Sequence, residues 1–224
     1  MNNFYFFIFY LFCNVCLYYI YPCMDLVFSK YSVLYNTIKP KHKQIYFISN
    51  LLKGSILGIL SIYAYSILID YFYYNRWNTH TIKYLGGAYA TLDMVSILRV
   101  EKMQINTILH HIIVQFLYLI SLFFLDFNVD TIARGVVIYA VFSTFAFIVN
   151  IYLALRLVLT DNPYKKKLAN SSNIVYKLSC FLNWSYQLYF VYSINSYFIT
   201  KLIYTGVLFS VIYDDIVLIR FLNL

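Results

Sequence analysis

Asp93 and the adjacent pair His110-His111 are the residues of this chain whose types and spacing best suit proton chemistry. A carboxylate can hold one imidazole tautomer while the second ring nitrogen gives or takes a proton near neutral pH. All three fall within apolar stretches, where an ionisable group is costly and marks function. With a helical rise of about 1.5 Å per residue, Asp93, six residues before Arg99, lies about 9 Å in from the basic end of its stretch. His110, eight residues after Lys102, lies about 12 Å in. Asn183 follows Lys177 by six residues, Asn150 precedes Arg156 by six, and Asp214 precedes Arg220 by six, so each also falls about 9 Å deep. Polar groups on five stretches thus share one level, which predicts a polar cavity opening at the basic end.

Helical periodicity turns several of these groups inward. Thr107, His111, Gln115 and Tyr118 share one stripe; Ser143, Ala146, Asn150 and Ala154 share another; Gly206, Ser210 and Asp214 a third. Gln115, Ser143, Asn150, Asn183, Asp214 and Asp215 are therefore expected to line the cavity, with Asp93, His110 and His111 as its reactive centre and His111 mattering more than His110. Gly54, Gly58 and Ser61 form a small-residue stripe suited to close helix packing. Adjacent helical residues point about 100° apart, so the two histidines are poorly placed to ligate one ion, and no metal is expected. A zinc hydrolase would need three separated ligands, and His80 falls at the opposite end. Cys13-x-x-Cys16 lies within an apolar run and reads as small buried hydrophobes, and Cys23 and Cys180 have no evident partner.

The elements that must position these groups are membrane helices. The 224 residues are 62% hydrophobic and only 12% charged, with mean hydropathy +0.68, too little polar surface to cover a water-soluble globule. Continuous apolar runs, rather than the alternation of barrel strands, predict an all-α polytopic bundle. Seven runs, at about 3–21, 54–69, 84–98, 105–125, 135–155, 178–199 and 202–219, predict about seven transmembrane helices in a single membrane domain over 1–224. Pro22, Pro40 and Pro163 fall between runs. The first run lacks a basic leader and a small-residue cleavage pattern, so it is expected to be retained as a helix. Part of the richness in aromatics, 26 Tyr and 20 Phe, belongs to interfacial belts.

Eleven of the seventeen Lys and Arg residues lie in the odd-numbered connections: residues 30–43, Arg99 with Lys102, and Arg156 through Lys177, with Lys53 read as lying at a helix end. Those connections are expected to face the cytoplasm and the N-terminus the lumen. The net charge of +8 is then a topology signal, and no nucleic-acid partner is expected. Asn170-Ser171-Ser172, a glycosylation sequon, is expected in a cytoplasmic loop and unmodified. Neither a nucleotide-binding glycine loop nor a serine-nucleophile elbow is visible.

The order Asp93, a short basic turn with Arg99 and Lys102, then His110-His111 heading an apolar helix resembles the signature of the TLC-domain membrane proteins, a group that includes ceramide synthases, translocon-associated proteins and lipid-regulating members. Ser143-Thr144-Phe145, Asn150 and Arg156 resemble the Ser-Thr…Asn…Arg stretch of its non-synthase branch. The matches span about 84–159, within a TLC-like core of about 45–220 that follows the N-terminal helix. The synthases' additional acids on the helix after the histidine pair are missing from 138–150, and Val141 stands where the Ser-Thr branch usually has an acid. The resemblance implies a multi-pass protein of the endoplasmic reticulum that binds membrane lipid and affects lipid composition or lipid and cargo traffic, without a cofactor and without clear catalysis. The alternative it implies is acyl-CoA-dependent N-acyl transfer, with acyl-CoA as co-substrate, a histidine as general base, Asp93 fixing its tautomer, and Asp214 or Asp215 supplying the missing acid.

Overall fold

The computed structural model describes residues 3–124, 131–159 and 163–223, and within them the chain is helical throughout, without strands. The helices are α1 (Asn3–Tyr31), α2 (Val33–Thr37), α3 (Lys41–Phe72), α4 (Thr79–Arg99), α5 (Ile105–Phe124), α6 (Ile132–Thr144), α7 (Phe147–Leu155), α8 (Pro163–Ser193) and α9 (Phe198–Leu222). Six of the seven apolar runs fall almost wholly within α1, α3, α4, α5, α6 with α7, and α9. Leu125, the expected end of the fourth run, lies outside the described residues. The sixth run is cut short: α8 stops at Ser193, and α9 starts at Phe198.

The helices do not confirm the count of seven spans. Among the described residues four are long and apolar enough to cross a membrane unaided, α1, α3, α5 and α9, and the pair α6 and α7, bent by 42° at Phe145–Ala146, makes a fifth if taken as one span. Helices α4 and α8 have the length but are too polar. The physical reason is shelter, on nearly all sides for α4 and on one face for α8. Helix α4 is enclosed by α1, α3, α5 and α6, and Thr91, Asp93 and Ser96 are buried on it. Helix α8 buries Ser172, Ser179, Asn183 and Gln187 while packing on α6, α7 and α9. A helix surrounded by protein need not be apolar all round. The outer helices carry large exposed apolar side chains, among them Phe12, Tyr19, Ile59, Ile62, Phe116 and Phe209, and so does the uncovered face of α8, with Phe181 and Leu188. Such surface requires an apolar solvent, and the chain is an integral multi-pass membrane protein.

Local hydrogen bonding explains the bend between α6 and α7. The Ser143 hydroxyl donates to the Tyr139 carbonyl at 2.9 Å and Thr144 to the Val141 carbonyl at 2.7 Å, back-bonds that compete with the helical ladder in a segment without proline. Close approach fixes the crossings. A Cβ on Gly54 would come within 2.7 Å of Ile151 Cδ1, which holds α3 against α7. One on Gly135 would meet Phe190 Cε1 at 2.5 Å and the Tyr204 hydroxyl at 2.7 Å, holding α6 against α8 and α9. Gly58 is less tightly covered, with Phe147 3.6 Å from the equivalent position.

The basic end is also tied. Asp25 accepts from Lys41 Nζ at 2.6 Å and from the Tyr35 hydroxyl at 2.6 Å, joining α1, α2 and α3. The connection expected between the fifth and sixth spans is mostly helix: α8 begins at Pro163, so Asn170 lies exposed on a helix rather than in a loop.

Candidate functional site

The site is built on α4, where Asp93 is fully buried. Its Oδ1 accepts from Lys53 Nζ of α3 at 2.5 Å, and His111 Nδ1 of α5 lies 3.0 Å from the same oxygen. Oδ2 is buried with no hydrogen-bond partner. Lys53, read from sequence as a helix-end residue, sits well inside α3 and serves as the counter-ion. An unpaired carboxylate at that depth would cost several kcal/mol, on the order of the desolvation penalty of one ion.

The helical offset sends the neighbouring imidazole elsewhere. His110 Nδ1 lies 3.4 Å from Asp214 Oδ2 on α9, and the two histidine rings stand 5.7 Å apart at 80°. Each histidine thus has its own carboxylate on its own neighbouring helix. Asp215 faces the other way. It accepts from Tyr139 at 2.5 Å, from Tyr176 at 2.7 Å and from Trp184 Nε1 at 3.2 Å, a cage of three donors that joins α6, α8 and α9. Of the two acids considered for the place the synthases fill, only Asp214 faces a histidine.

A cavity of about 490 Å3 runs from this centre to the basic end of the bundle. His110, His111, Ser143, Asn150, Asn183, Asp214 and Asp215 all border it, and Lys102, Arg156 and Phe221 surround its outer end. Asp93 stands behind the wall, reached through Lys53 and His111. Asn150 donates to the Ala146 carbonyl at 3.2 Å, and Asn183 accepts from Gln187 at 3.3 Å. Gln115 lies apart. Its amide donates to the Ala90 carbonyl at 2.8 Å and accepts from the Tyr10 hydroxyl at 2.7 Å, so it fastens α1, α4 and α5 and borders neither this cavity nor the next.

A second cavity of about 90 Å3 is walled mainly by apolar residues such as Ala90, Val114, Leu122, Val137 and Leu208, with Lys83 and His110 also on its border. Tyr89 and His110 border both cavities. His111, only 5% exposed, borders the polar one alone. The more accessible imidazole is therefore His110, the reverse of the ranking from the helical stripe.

No protein-family model, curated protein or solved structure matches this chain. The TLC resemblance accordingly rests on the order of Asp93, the basic turn, the histidine pair and the Ser-Thr…Asn…Arg stretch.

Asp93, His110 and His111 offer possible metal-ligand atoms that all lie within 4.8 Å of one another. The cation at that carboxylate is already Lys53, and each Nδ1 lies close to a carboxylate of its own, 3.0 Å for His111 and 3.4 Å for His110, without completing a hydrogen bond among the described residues. The residues that the sequence did not single out are Lys53, Tyr89, Tyr139, Tyr176 and Trp184. Lys53 precedes Asp93 by forty residues on another helix, and no spacing rule links them; the one available signal was a lysine continuous with an apolar run.

Proposed function

We propose that this protein binds an amphiphilic membrane lipid, with its polar part in the larger cavity and only the nearest segment of its hydrocarbon in the apolar one, and thereby affects membrane lipid composition or lipid and cargo traffic. The observation that carries this reading is the junction of the two cavities at Tyr89 and His110. A polar chamber ending in an apolar pocket accepts a molecule with both characters and suits neither a soluble metabolite nor a bare ion. On the distribution of lysines and arginines the outer end of the cavity faces the cytoplasm and the N-terminus the lumen; the TLC resemblance favours the endoplasmic reticulum. Mass spectrometry of lipids retained through purification tests the reading, set against an Ala140→Trp variant that fills the apolar pocket. The variant should lose the lipid that the parent retains, and a parent without lipid would refute the assignment.

Acyl transfer is the second reading, favoured by the pairing of His110 with Asp214. Here an amine nucleophile attacks the thioester carbonyl of acyl-CoA, His110 takes the amine proton, the C–S bond breaks as the C–N bond forms, and the proton passes to the departing thiolate. Its products are an amide and free CoA. Turnover of acyl-CoA with a long-chain base by purified protein distinguishes the two readings.

A further inference from the structure

The cavity is polarised along its length. At its deep end every carboxylate has partners: Asp93 has Lys53 and His111, Asp214 has His110, and Asp215 has Tyr139, Tyr176 and Trp184. At its outer end stand two cations, Arg156 and Lys102, that form no ion pair among the described residues, although Glu101 adjoins Lys102 in the turn. Arg156 follows the last turn of α7, its guanidinium carbon 4.5 Å from the centre of the Phe221 ring and its Nε buried without a hydrogen-bond partner among the described residues. Lys102, in the α4–α5 turn, borders the same space. A buried guanidinium N–H with no acceptor is costly, and a ligand oxyanion would satisfy it.

We infer that Arg156 and Lys102 form an anion subsite, and that the lipid of this cavity carries a phosphate group on an acylated backbone. The inference rests on the lipid-binding reading above and specifies its ligand. The phosphate would sit at Arg156 and Lys102, the carbonyl linkage near His110, and the chain beyond Tyr89. Spacing supports this arrangement. Lys102 stands in the α4–α5 turn before α5 begins, and His110 lies five residues, about 7.5 Å, into that helix, so cation and imidazole mark two separate levels of the cavity, whereas a fatty acid has a single polar group. Two cations also match the charge of a phosphate better than that of one carboxylate, and the guanidinium fork suits its oxygens. Two kinds of molecule have this chemistry, a glycerophospholipid and an acyl-CoA.

Purified protein in neutral detergent should be titrated with dioleoyl phosphatidate, oleoyl-CoA, dioleoylglycerol and oleate, each followed by native mass spectrometry. The parent should hold at least one phosphorylated ligand about tenfold more tightly than dioleoylglycerol. The Arg156→Gln/Lys102→Gln double variant should lose that preference and keep its affinity for dioleoylglycerol, whereas Lys165→Gln/Lys166→Gln/Lys167→Gln, which alters basic residues outside the cavity, should change neither. In the parent alone, inorganic pyrophosphate should displace the phosphorylated ligand and spare the glyceride, a measurement independent of how any variant folds. The tighter of phosphatidate and oleoyl-CoA identifies the source of the phosphate. Equal affinity for phosphorylated and neutral ligands, or a preference for oleate, overturns the subsite and leaves the lipid-binding reading in place. Failure of all four ligands to bind overturns both.

Discussion

Lys53 Nζ lies 2.5 Å from Asp93 Oδ1, an ion pair that joins α3 to α4 in the interior of an apolar bundle, with the carboxylate fully buried. Its energetics are asymmetric: removing one partner strands a charge, whereas removing both leaves a hydrophobic contact.

Asp93→Leu alone should therefore destabilise the protein by about 3–5 kcal/mol, and Lys53→Met/Asp93→Leu should recover most of that loss. Thermal melts of the three proteins in one detergent provide the comparison. A single Asp93→Leu variant as stable as the parent would mean that the pair does not carry a buried charge.

The two histidines should separate by phenotype. His111→Asn removes a partner of buried Asp93, so a loss of about 1–3 kcal/mol in stability is expected, with lipid still retained. His110→Asn should leave the melting temperature nearly unchanged and weaken lipid retention, or abolish acyl-CoA turnover if the parent has any, because His110 borders both cavities. The opposite assignment of effects would return the central role to His111.

Close packing at Gly135 should be intolerant of a methyl group. Gly135→Ala places a Cβ within 2.5 Å of the Phe190 ring and should cost about 1–3 kcal/mol. Gly206→Ala meets nothing within 4 Å and should be neutral or stabilising by up to about 1 kcal/mol through helix propensity. Chemical or thermal unfolding of the pair tests the α6–α8 contact directly.

Topology can be read at the basic end. Lys166→Cys, on the first turn of α8, should react with a membrane-impermeant maleimide only when the cytoplasmic face is accessible, and Asn170 should carry no glycan. Labelling from the lumenal side, or a glycan at Asn170, would invert the assignment and place the mouth of the cavity in the lumen.

Hydropathy along the chain determines that it is an all-helical membrane bundle, because the transfer free energy of a run is a sum over its own residues. The grouping of His110, Asn150, Asn183 and Asp214 around one cavity was legible for a similar reason, since rise per residue along one helix needs no knowledge of its neighbours. Partners are another matter, since they depend on how each helix is rotated and which helix it crosses. Only the tertiary structure places Lys53 against Asp93, turns His110 to Asp214 and His111 to Asp93, surrounds Asp215 with Tyr139, Tyr176 and Trp184, and draws Gln115 into the α1–α4–α5 contact. The same limit explains the span count. Which faces of α4 and α8 must be apolar depends on the helices that cover them, all round for α4 and on one face for α8, a property of the assembled bundle that no local window contains.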